Sequence, residues 1–185
     1  MKQKISTKRI AMAGLLAALT TVGSWLRIKI PVSIGGTSAF HLGNIFCALS
    51  GILLGPGLGG MAAGLGSAIY DMTDPVYISE CWLTFLMKGA YALVAGLVAK
   101  KLKCGEYLKD LIATTAGATT YAVLYLGKSF LKTWLVSGTT AQAAFLALGL
   151  KLPATIFNMA VAIIIAPVLS TAIRKALEQN HISLN

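Results

Sequence analysis

The chain has 185 residues, of which 56% are apolar and only 12% charged, and its mean hydropathy is +0.75. So few charges cannot cover the core of a water-soluble domain of this size, which excludes an ordinary soluble enzyme. The balance of 16 Lys+Arg against 6 Asp+Glu gives +10, yet the basic residues sit at the ends of apolar runs rather than among aromatics, so a single-strand nucleic-acid groove is excluded too.

At roughly 20 residues per span the length accommodates six membrane crossings. The run from Ile10 to Leu26 follows a basic tail that imitates a signal peptide, but further spans follow and it reads as helix 1, over about residues 10–30. Pro31 disfavours helix in the residue before it, and the stretch to Phe40, with Gly35-Gly36, reads as a loop. Helices 2 and 3, over 41–54 and 58–71, are divided by Gly55-Pro56-Gly57. At about 21 Å each they are short for a ~30 Å hydrocarbon core, so they are either tilted spans or a re-entrant hairpin. Helices 4, 5 and 6 follow over 81–99, 108–136 and 141–173, the last containing Pro153 and Pro167. The expectation is an all-α integral membrane protein, one domain over residues 1–185, in the cell membrane of a bacterium.

Orientation follows from the positive charges. With the N-terminus in the cytoplasm, Lys2, Lys4, Lys8, Arg9, Lys100, Lys101, Lys103, Lys109, Arg174 and Lys175 fall inside, against Arg27 and Lys29 outside. Both termini are then cytoplasmic. Asp71, Asp74 and Glu80 lie at the outer face, and Asp71-x-x-Asp74 reads as a solvated loop or helix-end cap.

No catalytic constellation assembles from these residues. Cys47, Cys81 and Cys104 are far apart and form no metal or disulfide pattern. Ala122 to Ser129, with Gly127-Lys128-Ser129, imitates a phosphate loop, but inside an apolar helix whose N–H groups are already used. No cofactor is expected, and no enzyme.

The intramembrane lysines carry the functional signal, because a charge in hydrocarbon costs several kcal/mol and usually faces a cavity. Lys88, Lys128 and Lys151 lie about 9, 12 and 15 Å below the outer end of their helices at 1.5 Å per residue. Snorkelling to the interface is the alternative, least convincing for Lys151. Tyr91, Tyr125, Trp82, Trp134 and Asn158 lie near the same level, as an aromatic and polar cavity for a small ligand requires. Trp82 and Trp134 are near the outer interface, where an aromatic belt is expected anyway and explains them slightly better. Small residues at four-residue spacing, Ala13 and Ala17 with Gly14 on helix 1 and Gly60 and Gly64 on helix 3, make smooth strips for close helix packing or for docking a second membrane protein.

The segment from His41-Leu-Gly-Asn44 through Gly55-Pro56-Gly57 to Gly64-Leu-Gly66-Ser67 and Asp71 resembles the helix 2–helix 3 hairpin of the substrate-binding S components of energy-coupling factor (ECF) vitamin transporters, riboflavin-type branch. The resemblance extends over nearly the whole chain. It implies a vitamin or vitamin precursor captured from outside, of the pantothenate, riboflavin, pyridoxine or hydroxymethylpyrimidine class, in a cavity of helices 4, 5 and 6 lidded by the loops after helices 1, 3 and 5. It also implies docking through Ala13 and Ala17 to a transmembrane coupling subunit driven by two ABC-type ATPases. The lysines favour a ligand with a carboxylate, a phosphate or several carbonyl oxygens, such as pantothenate, a flavin or a folate, whereas near-neutral pyridoxine-like compounds and hydroxymethylpyrimidine leave them unexplained. The alternatives are an assembly subunit that binds no small molecule and a membrane-embedded lipid enzyme.

Overall fold

A computed structural model of the chain describes residues 6–32 and 36–182; Lys2, Lys4 and Gly35 lie outside them. The elements are α1 (Thr7–Trp25), β1 (Arg27–Val32), β2 (Gly36–His41), α2 (Gly43–Leu54), α3 (Pro56–Met72), α4 (Cys81–Lys101), α5 (Glu106–Leu131) and α6 (Ala141–Gln179). A 3-10 turn, Ile78–Glu80, leads into α4, and a π-helical turn, Lys132–Val136, ends α5.

Two expectations need correction. Helix 1 stops at Trp25 rather than near residue 30, and the segment read as a loop is an antiparallel hairpin, in register from Arg27 opposite His41 to Val32 opposite Gly36. The alternation Arg-Ile-Lys-Ile with branched side chains suits a strand, and Pro31 is tolerated because both strands of a two-stranded sheet are edges. Among the described residues the fold is thus the expected all-α bundle of six helices, with a two-stranded hairpin added between α1 and α2. Helix 5 also changes winding at Lys132, four residues before its expected end, whereas α6 runs on unbroken through Pro153 and Pro167.

Local chemistry sets the remaining boundaries. Ser6 caps α1 by accepting from the Arg9 N–H at 3.4 Å, and Thr140 caps α6 by accepting from the Ala143 N–H at 3.2 Å. Gly55 turns the chain between α2 and α3 at φ +80°, a conformation side chains resist, and Pro56 starts α3 where its missing N–H costs nothing.

The short α2 resolves the length problem. Ten of its 12 residues are buried among the other helices, so it has no need of the full thickness of a lipid-facing span. Glycines let its neighbours close on it. A Cβ on Gly51 would lie 2.1 Å from the Ala92 carbonyl oxygen, and one on Gly66 2.2 Å from that of Ala17. Helix backbones therefore meet directly, as small-residue packing in lipid requires.

The outward faces are apolar. Among the described residues two helical segments, Ile78–Lys101 and Ala141–Gln179, are long and apolar enough to cross a membrane. Only 33% and 28% of their most apolar windows are buried within the bundle, unlike the core helices of a soluble domain. One end of the bundle gathers the α2–α3 turn, where Arg9 donates to the Leu54 carbonyl at 2.5 Å, and the α5–α6 contact, where Arg174 donates to Asp110 at 2.5 and 3.1 Å. The hairpin and the 3-10 and π turns cluster at the other.

Candidate functional site

A cavity of about 80 Å³ lies under the hairpin, between α2 to α6. Its floor is built on α4 and α5. Lys88 is buried, donates to the Asn44 side-chain oxygen of α2, and holds its ammonium 3.8 Å from the centre of the Tyr121 ring. Tyr121 and Tyr125 are one helical turn apart on α5, so their rings stack, 5.9 Å apart and 22° from parallel. Tyr91 backs Tyr121 at 6.2 Å.

Charged groups line the rim. Arg27 donates from Nε to the Ser24 carbonyl at 2.7 Å and lies 3.7 Å over the Tyr70 ring, a cation–π contact. Glu80 accepts from Lys128 at 2.5 Å and from Lys132. Asp71, only 5% exposed, faces the cavity with the Thr84 hydroxyl in hydrogen-bond reach.

The hairpin is tied down on two sides. Lys29 pairs with Asp74 at 2.6 Å, and the Thr37 and Tyr77 hydroxyls meet at 2.8 Å. Asp74 also accepts from the Tyr70 hydroxyl at 2.7 Å and the Val76 N–H at 3.1 Å. Burial alone opposes its ionisation, but the hydrogen bonds from Lys29, Tyr70 and Val76 outweigh it and hold the carboxyl below the usual range. On the α6 side Asn158 accepts from the His41 N–H at 2.9 Å and donates to the Ala39 carbonyl at 2.8 Å.

Of the residues singled out in the sequence, Lys88, Lys128, Tyr125 and Asn158 line this cavity. Lys151 is buried alongside it and donates to the Ser129 hydroxyl at 2.6 Å. Tyr91 is wholly buried behind Tyr121. Trp82 and Trp134, 59% and 42% exposed, do not line the cavity, and Trp134 packs on Phe130. Ala13 and Ala17 are half-buried against the core, while Gly14 faces open space. Sequence reasoning passed over Arg27, His41, Asn44, Asp71 and Glu80, all of which line the cavity. The solvated reading of Asp71 and Asp74 is corrected, since both are buried. The one available signal was the meeting of three outer acids with few outer bases, which invites pairing.

A bundle with apolar outer faces and one polar, charge-lined cavity beneath a tied-down hairpin has the build of a membrane protein that holds a small polar solute. The family model for the ECF-type riboflavin transporter S component matches residues 4–175, and the chain belongs to that family. The fold is similar to that in a solved structure described as the S component of a bacterial ECF transporter, with a TM-score of 0.61 at 18% identity over 92% of this chain and 97% of that one. An uncharacterized protein from the gap 3' region of Pyrococcus woesei is 30% identical over 113 residues, 61% of this chain and 72% of that protein. A UPF0397 protein of Streptococcus agalactiae is 32% identical over 108 residues, and the match spans 57% of each chain. The family is one of membrane transporter components that work with an ECF module, not an enzyme family.

Proposed function

We propose that this chain is the substrate-binding subunit of an ECF-type importer in a bacterial cell membrane, crossing it with six helices and both termini in the cytoplasm. It captures a water-soluble vitamin or vitamin precursor from outside and passes it through a coupling subunit energised by two ABC-type ATPases. The observation that carries this reading is the cavity itself: buried charged and aromatic groups converge under the hairpin in a bundle whose outer faces are apolar. The positive charge gathered at the far end, Arg9 and Arg174 among it, favours that end as the cytoplasmic one.

Ligand contacts are assigned to Lys88, Lys128, Tyr125 and Asn158, joined by Arg27 and Asp71. Lys151 and Tyr91 support the floor from behind. The exposed small-residue face of α1 around Gly14 is the docking strip for the coupling subunit, with Ala13 and Ala17 at its inner edge.

Mass spectrometry of small molecules that copurify with the detergent-solubilised chain, followed by titration with B vitamins and their precursors, tests the reading. A stoichiometric, tightly held member of that class is the expected result. A chain that carries none and binds none overturns it in favour of an assembly subunit without a ligand.

A further inference from the structure

Among the described residues the three buried carboxylates are Asp71, Asp74 and Asp110. Asp74 is paired with Lys29 at 2.6 Å and Asp110 with Arg174 at 2.5 Å. Among the described residues Asp71 has no ammonium or guanidinium within the 4.0 Å of an ion pair, although Arg27 and Lys88 line the same cavity. The side-chain partner the described residues offer it is the Thr84 hydroxyl, which leaves most of its acceptor sites unused. Lys88 is in the mirror situation. Its ammonium has three donors, and the protein supplies the Asn44 oxygen and the Tyr121 ring face. Burying two opposite charges without letting them touch is costly unless something else completes them. The stacked rings of Tyr121 and Tyr125 line the same cavity as these two groups.

We propose that the substrate is a single-ring heterocycle, uncharged or zwitterionic, that lies against Tyr121 and Tyr125 with an N–H or O–H donor toward Asp71 and an acceptor toward Lys88. This rests on the reading of the chain as a substrate-binding subunit and narrows it. Three features set the class. The stacked tyrosines select a planar, polarisable ring. The buried carboxylate repels a simple anion and demands a donor, so the lysines cease to argue for an acyclic carboxylate: Lys128 already answers Glu80, and Lys151 donates to the Ser129 hydroxyl. The size argues against fused rings. About 80 Å³ is far below the ~300–1,000 Å³ of sites for larger, drug-sized ligands and suits one ring.

The test is calorimetric titration of the purified full chain with four probes: pyridoxine and hydroxymethylpyrimidine as single-ring donor–acceptor compounds, pantothenate as an acyclic carboxylate and riboflavin as a three-ring compound. Any copurified molecule is identified first and removed. One of the single-ring probes, or a copurified compound of that class, is expected to bind at least ~10-fold tighter than pantothenate and riboflavin. Asp71→Asn and Lys88→Met should each weaken it by ~10-fold or more, with thermal melts reporting whether the variants fold. Tightest binding of pantothenate or riboflavin, or of a copurified acyclic anion, overturns this proposal while leaving the substrate-binding reading intact. So does single-ring binding that a folded Asp71→Asn variant leaves unchanged. Absence of any copurified compound and of binding to all four probes overturns both.

Discussion

Asn158 brackets the hairpin strand at His41: its side-chain oxygen takes the His41 N–H at 2.9 Å while its amide nitrogen gives to the Ala39 carbonyl at 2.8 Å. One α6 side chain thus occupies a donor and an acceptor of the strand that roofs the cavity, across 117 residues of sequence. Two hydrogen bonds of about 1 kcal/mol each hold the lid on that side. Asn158→Leu is expected to weaken ligand binding by up to ~30-fold and to abolish exchange protection of the His41 amide. Hydrogen exchange of the detergent-solubilised variant checks it, and unchanged protection at His41 contradicts the bracket.

The opposite side of the hairpin depends on pH through Asp74. Its carboxyl is held below the usual range, so the Lys29–Asp74 tie stabilises the lid fully above the ordinary carboxylate value of about 3.9. That contribution is lost as the pH falls through the lower value of the folded state. The thermal stability gap between the native chain and Asp74→Asn should therefore be constant from pH 7 to about 5 and shrink below about 3.9. A gap that widens on acidification contradicts the assignment.

Glu80 joins the 3-10 turn to the end of α5 through Lys128 and Lys132. Removing its charge leaves two ammoniums on one helical turn without their shared acceptor. Glu80→Gln should destabilise the fold by more than the ~1 kcal/mol ceiling of exposed pairs, because Glu80 and Lys128 are largely buried. A matched Glu80→Gln/Lys128→Met variant should recover part of the loss. Melting curves of both variants give the answer.

At the other end Asp110 is fully buried and receives both terminal nitrogens of Arg174. Arg174→Met should cost about 3–5 kcal/mol by stranding that carboxylate, whereas Asp110→Leu/Arg174→Met should be nearly neutral. Equal losses in the single and double variants contradict a paired charge.

Two glycines on facing helices separate packing from docking. Gly66→Ala places its Cβ 2.2 Å from the Ala17 carbonyl oxygen and should lower the yield of folded protein, costing about 1–3 kcal/mol or more. Gly14→Trp meets nothing within 4 Å and should leave melting temperature and ligand binding unchanged while blocking uptake by a complete transporter. Uptake that survives Gly14→Trp removes the docking strip from α1.

The sequence alone determined the membrane-type composition, the number and order of the helices, the Gly55-Pro56 turn and the small-residue contacts, because hydropathy, proline and glycine act over a few neighbouring residues. It also singled out Lys88, Lys128, Tyr125 and Asn158, since polar groups in apolar runs stand out locally, and the fold brings these four round one cavity. It could not show that residues 27–41 form a hairpin lid, because a short alternating run ending in proline reads the same in a loop. Nor could it tell which charges cancel. Lys128 meets Glu80 across 48 residues and Arg174 meets Asp110 across 64, while Asp71 and Lys88, only 17 positions apart (88 − 71), share a cavity without pairing. Ion pairing depends on distances of a few ångströms between elements, and only the tertiary packing of α2 through α6 sets those distances.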